Sequence, residues 1–313
     1  MSDNLDFQKL TGGYLLSNFS HLIKGAYDLH VHSAPDVMPR KLDDMDMAKR
    51  IKDSGMAGFA MKSHYFCTAE RAKMINTMHG SDCHAIGTIV LNHAVGGINP
   101  NAVEMAGRSD NKLVWFPTLD SAHGRADVFS GKPLDKLPFW AKILMEMREE
   151  GIETEPINIL DQNDKLIAPV YDVLDIIAKY NMALVTGNLS KKEAKVLVKE
   201  AHARKVQKII IALVDFPSIA YTVEEQQEFT KYGAYMEHCY NTWSSGKVDV
   251  NESIHQIKSI GADNVILSTD LGQSKGIYPD EGMLAYATKL VEAGVSEEDV
   301  IKMTVHNPKW LIS

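Results

Sequence analysis

Histidines His30 and His32 sit two residues apart in Asp28-Leu29-His30-Val31-His32. Strand side chains alternate with period 2, so an H-x-H pair on a strand directs both imidazoles to one side. Two neutral imidazoles on one side can chelate a single divalent ion. On strict alternation Asp28 joins them, with Tyr27, Leu29 and Val31 opposite. Two further short pieces carry compatible groups: Lys62-Ser63-His64 and Ser268-Thr269-Asp270. A carboxylate such as Asp270 can complete a metal site and take a proton from bound water. Its bland alternative is a turn cap. Lys62 is costly to bury unless paired, carbamylated or bound to an anion; otherwise it reaches the rim. His93, in Leu91-Asn92-His93, and Glu237-His238, in Met236-Glu237-His238-Cys239, end two further apolar runs. Metal-activated water acting on a small molecule is the chemistry this set points to.

Such residues lie far apart in the chain, so the fold must gather them. Eight apolar, β-branched runs read as strands: 26–32, 57–64, 84–92, 112–118, 182–188, 208–214, 233–240 and 263–269. Helical patterns alternate with them, including Met45–Ser54, Ala69–Met78, Lys191–Ala203, Glu224–Tyr232, Val250–Ile260 and Glu281–Ala293. Alternating strands and helices imply parallel pairing, and eight units imply a closed (β/α)8 barrel, an α/β TIM barrel whose site lies at the C-terminal strand ends. Ser190 with Glu193 reads as a capping box, and Asn99-Pro100 and Asn307-Pro308 read as helix starts. The chain reads as one barrel domain over 1–313, with an N-terminal extension at 1–25. Residues 119–167 form a long insertion between strands four and five, with an amphipathic helix at Leu137–Glu150, and read as a lid over the barrel mouth.

Composition agrees with a globular enzyme: 313 residues, 45% hydrophobic and 24% charged. With 33 basic and 41 acidic residues, net charge is -8 and no basic stripe stands out, so nucleic acid is not an expected partner. The three cysteines, Cys67, Cys83 and Cys239, form no C-x-x-C and suit a reducing compartment. Met1–Leu5 lacks a basic region leading into an apolar run, and no apolar stretch approaches membrane-spanning length, so a cytoplasmic protein away from membranes is expected. We expect a homo-oligomer that acts on a small molecule.

These motifs resemble the amidohydrolase superfamily of metal-dependent barrels, and more narrowly an uncharacterised amidohydrolase-like branch. The likeness rests on Asp28-Leu29-His30-Val31-His32-Ser33-Ala34-Pro35-Asp36, Lys62-Ser63-His64, Leu91-Asn92-His93, Glu237-His238-Cys239-Tyr240, Ser268-Thr269-Asp270-Leu271-Gly272 and the closing Asn307-Pro308. The resemblance implies that His30, His32 and Asp270 hold a divalent ion, zinc in the first instance with Mn, Fe or Ni open. It implies that Asp270 also serves as the base. Lys62 and His64 are expected in catalysis, and His93, His238 and Glu237 at the substrate. The superfamily usually places histidines at the ends of strands five and six. Here Asn188 and Leu213 or Val214 stand there, and strand four ends in Phe116-Pro117-Thr118 without a lysine. One metal per chain is therefore expected. The reading is hydrolysis of an amide, cyclic amide or lactone. Rival readings are a lyase or decarboxylase on the same barrel, a histidinol-phosphatase-like (PHP-type) phosphoesterase, and a non-catalytic binding barrel.

Overall fold

The computed structural model describes residues 19–131 and 133–313; most of the expected N-terminal extension lies outside them. Eight parallel strands form one sheet in chain order: β1 Tyr27–Val31, β2 Gly58–Met61, β3 His84–Val90, β4 Leu113–Trp115, β5 Ala183–Val185, β6 Lys208–Ile211, β7 Ala234–Cys239 and β8 Val265–Ser268. The barrel closes through Asp270 N donating to His30 O at 2.9 Å and His32 N donating to Leu271 O at 2.8 Å. The (β/α)8 expectation holds. Each strand lies inside its expected range but is shorter. Lys62, His64 and Asp270 follow their strands as loop positions, as catalytic groups of such barrels do.

Two apolar layers result. Inside the barrel, Leu29, Ala60, Ile86, Val90, Trp115, Val185, Ile210 and Ile266 pack together. Outside it, strand residues such as Phe59, Met61 and Val114 meet the helices. The helix Ala168–Lys179 shows the mechanism: Val170, Val173, Leu174 and Ile177, three or four apart, are its buried face. Helix Lys191–Ala203 starts as expected, with Ser190 and Glu193 forming a reciprocal capping box. Asn99 caps Pro100–Arg108 by accepting from Ala102 N. Asn307 does not cap. It sits in helical conformation after a π-helical turn at Lys302–His306. Its amide donates to Ala262 O and Val265 O, both at 2.7 Å, and so ties the C-terminal helix to the base of β8.

Strict alternation fails along β1. Asp28 pairs with Phe59 but Val31 pairs with Met61, so three steps of β1 oppose two of β2. This bulge lets Leu29 and His30, neighbours in sequence, both face the interior. Asp28 leaves the face assigned to it. Its carboxyl accepts from His30 N, Thr269 N and the Thr269 hydroxyl, and so seals the seam between β8 and β1. Burial there pushes Asp28 up to about 7.

The insertion at 119–167 contains helices Ala122–Val128 and Phe139–Glu149, the second close to the expected Leu137–Glu150. Among the described residues no helix is long and apolar enough to cross a membrane.

Candidate metal centre

At the C-terminal end of the barrel a cavity of about 450 Å³ is lined by His30, His32, Lys62, His64 and Asp270, with Asn188, Leu213 and the insertion residues Pro138, Phe139 and Trp140 also on its wall. His30 Nε2 lies 3.2 Å and His32 Nε2 lies 3.1 Å from one oxygen, Asp270 Oδ1. His30 and His32 keep 1% and 3% of their side chains exposed, against 18% for Asp270, so the opening is on the aspartate side.

The hydrogen bonds behind the rings decide what these atoms can do. His32 Nδ1 lies 2.8 Å from the Lys62 carbonyl oxygen. A carbonyl only accepts, so Nδ1 carries the proton and Nε2 presents a lone pair. Burial and the nearby Arg40 charge push His32 down to about 3, which keeps it neutral. A lone pair therefore faces a carboxylate oxygen at 3.1 Å. Two acceptors so placed call for a cation between them. The separations agree with one: ligand bonds of about 2.0–2.2 Å around a tetrahedral ion put donor atoms roughly 3.3–3.5 Å apart. His30 Nδ1 lies 3.3 Å from both Glu237 oxygens, the carboxylate–histidine arrangement that orients metal-binding imidazoles. The residues present thus fit a divalent ion held by His30, His32 and Asp270, one of the candidate groups the geometry contains.

Lys62 complicates the site. Its ammonium lies 2.9 Å from His30 Nε2 and 4.0 Å from the centre of the Trp115 ring. Burial lowers Lys62 to about 8 against the pull of Asp270 and Glu237. Burial and Lys62 depress His30, but Glu237 and Asp270 outweigh them and leave it raised. Burial would raise Asp270, yet the neighbouring His30 holds it well below the usual carboxylate range.

His64 stacks on His32 with ring centres 5.1 Å apart, and its Nδ1 lies 2.8 Å from Thr118 Oγ1. Asn92 holds that threonine in turn: its amide donates to Thr118 Oγ1 at 2.8 Å and its carbonyl accepts from Thr118 N at 2.9 Å. Asn241 donates to Asp270 Oδ2 at 3.1 Å. The sequence reading missed Asn92, Asn241 and Arg40. For Asn92 a signal existed, since it lies two residues beyond Val90 and shares its inward side by period 2.

Two expected site residues are elsewhere. His93 follows Asn92 and turns to the insertion, with its Nε2 2.6 Å from Glu155 O. Glu237 and His238 are neighbours on β7, whose register against β8 is unbroken, so they face opposite sides. Glu237 faces His30. His238 faces outward, with its Nδ1 3.1 Å from Asp215 Oδ2 and that same oxygen accepting from Ser253. Neither histidine reaches the cavity. Glu237 is 1% exposed and lies behind His30, outside the cavity lining.

Backbone conformation contributes too. Asp270 adopts φ 52°, a left-handed state that aspartate tolerates better than most residues. Gly272 has φ 123°, and a Cβ there would lie 1.7 Å from His32 O. Only glycine lets the β8 loop lie against the backbone of His32.

The chain belongs to DUF6282, a family of unknown function, which matches residues 25–237. No curated protein matches it. Solved structures share its fold. An amidohydrolase from Pseudomonas aeruginosa superposes with TM-score 0.59 at 9% identity, over 95% of this chain and 98% of that one. The probable dipeptidase PvdM from the same organism gives 0.61 at 11%, over 96% and 98%. The lactonase Lmo2620 from Listeria monocytogenes gives 0.54 at 12%, over 93% and 96%. The fold is that of the amidohydrolase-type barrels.

Proposed function

We propose that this protein is a metal-dependent hydrolase of a small molecule, cleaving an amide, cyclic amide or lactone, with residues 119–167 as the lid of a single barrel domain in the cytoplasm. One observation carries the reading: the lone pair of His32 Nε2 faces Asp270 Oδ1 at 3.1 Å on the floor of the cavity, with His30 Nε2 beside it. A bound divalent ion would supply Lewis acidity and a water acidified to a pKa near ~7. The fold neighbours, an amidohydrolase, a probable dipeptidase and a lactonase, support this class.

The chain's own groups then have distinct tasks. Asp270 would hold the ion through Oδ1 and accept a proton from the attacking water, while Asn241 anchors Oδ2. Glu237 and the Lys62 carbonyl hold the two imidazoles in orientation. Lys62 Nζ and His64 border the space in which a carbonyl oxygen would gain negative charge, and oriented donors there lower the barrier. Asn188 and Leu213 stand on the wall where a second ion would need imidazoles; an amide oxygen is a poor transition-metal ligand and an alkyl chain is none.

Elemental analysis of purified protein tests the reading, paired with His30→Ala/His32→Ala and a screen of lactones, cyclic amides and amides. We expect about one ion per chain, lost in the double variant. Protein that neither carries metal nor takes it up on titration refutes the proposal. Two fully occupied ions refute its stoichiometry.

A further inference from the structure

The rim of the cavity is divided by charge. Its lining includes three cationic side chains, Arg40, Lys62 and Lys247, and one carboxylate, Asp270. Arg40 belongs to the loop after β1 and bridges in antiparallel fashion to Gln273 in the loop after β8. Lys247 belongs to the segment after β7. Since β7, β8 and β1 are consecutive around the barrel, these groups occupy one continuous arc. The opposite wall carries an apolar cluster, Leu119, Pro138, Phe139, Trp140, Leu213 and Phe216, from the loops after β4 and β6, with Asn188 among them.

Arg40 is built in, not merely near. Its side chain is 3% exposed and that of Asp36 is 0%. Arg40 Nε donates to Asp36 Oδ2 at 2.7 Å, and Nη2 lies 2.6 Å from the same oxygen without a well-directed hydrogen bond. A guanidinium has five N–H donors, and one carboxylate oxygen cannot satisfy them all. Asp36 therefore fixes the group from one side and leaves donors for the cavity. Lys247 Nζ lies 4.4 Å from the Phe216 ring centre, where the charged and apolar walls meet.

We infer that the substrate is an organic carboxylate: Arg40 and Lys247 bind its anionic group on the β7–β8–β1 arc, and its apolar part lies against Phe139, Trp140 and Phe216. The inference rests on the hydrolase reading of the same cavity and names its substrate class. A planar guanidinium fork suits a carboxylate, and the ammonium adds a point charge.

Calorimetric titration of the purified protein with phenylacetate, its neutral isostere phenylacetamide and phenylphosphonate tests the subsite without requiring turnover. Phenylacetate should bind at least about tenfold more tightly than phenylacetamide, given the strength of charge-assisted hydrogen bonds. Arg40→Lys keeps a cation beside Asp36, so the fold should persist; it should weaken phenylacetate about tenfold. Lys247→Met, at an exposed position, should weaken it a few-fold. Bound metal should be unchanged in both variants. Equal affinity for acid and amide overturns the inference, as does no binding of any probe at millimolar concentration. Full affinity in Arg40→Lys overturns it too, since the anion would then be held by the metal. Phenylphosphonate binding more than tenfold tighter than phenylacetate overturns the carboxylate assignment in favour of a phosphoryl group. Failure of charge discrimination in metal-loaded protein sinks the substrate class alone, whereas metal-free protein sinks the hydrolase reading.

Discussion

Glu237→Gln separates two roles that a buried carboxylate near a metal centre can have. Glu237 touches no part of the cavity, and its oxygens lie 3.3 Å from His30 Nδ1 and, for Oε2, 3.3 Å from Leu213 N. If its task is to orient His30 and raise the basicity of Nε2, neutralising it should weaken the metal site. Hydrogen bonds to charged groups contribute about 1.5–3 kcal/mol net. The distance of 3.3 Å exceeds the usual charge-assisted length of ~2.7–2.9 Å, so the lower end applies. About 1.5 kcal/mol is roughly a tenfold loss of metal affinity, at the low end of the ~10–100-fold range for such supporting groups. Glutamine is isosteric and keeps one acceptor, so the barrel should remain folded. Competition with a chromophoric zinc chelator measures the affinity, and circular dichroism confirms the fold. Affinity within twofold of wild type would refute the orienting role. A raised KM with unchanged metal affinity would refute the placement of Glu237 behind His30 and restore it as a substrate contact.

Asp270→Asn should spare the fold and remove turnover: asparagine also accepts the left-handed φ of 52°, but lacks the charge and basicity required. A loss of about 10²–10⁴-fold in rate in metal-loaded protein is expected, and activity within a few-fold of wild type would make Asp270 structural. Metal affinity should fall with falling pH. Raised above its ordinary 6.5, His30 holds a proton that competes for Nε2, so competition begins above that value and steepens to about one proton per ion below it. Chelator competition across pH 5–8 measures the slope, and a flat profile would exclude His30 as ligand. Gly272→Ala should destabilise by more than about 2 kcal/mol, because the Cβ would strike His32 O at a φ that is nearly glycine-only. Thermal melts and metal content should fall together; an unchanged melt would show that the β8 loop can move away.

Local pattern determined most of the architecture. All eight strand positions follow from runs whose apolar, β-branched character matches a buried ladder, and the helices between them from period 3.6 and caps such as Ser190. The cluster of His30, His32, Lys62, His64 and Asp270 follows from topology, since a parallel barrel brings every strand's C-terminal end to one face. Regular alternation on β7 already opposes Glu237 and His238, and the unbroken pairing with β8 keeps it. Tertiary structure alone decided the rest. Whether β1 is bulged depends on its register against β2, a long-range pairing that leaves no local mark, and it moved Asp28 from the site to the seam. Arg40 gained its place because a loop eight residues beyond His32 folds back on Gln273 and is pinned there by Asp36. Asn307 has the spacing of a cap, yet a continuous helix turned its amide toward the base of β8. Side-chain chemistry and local periodicity are carried by neighbours in the chain; loop closure, register and the partner behind each histidine are set by residues far away in sequence, from Lys62 behind His32 to Glu237 behind His30.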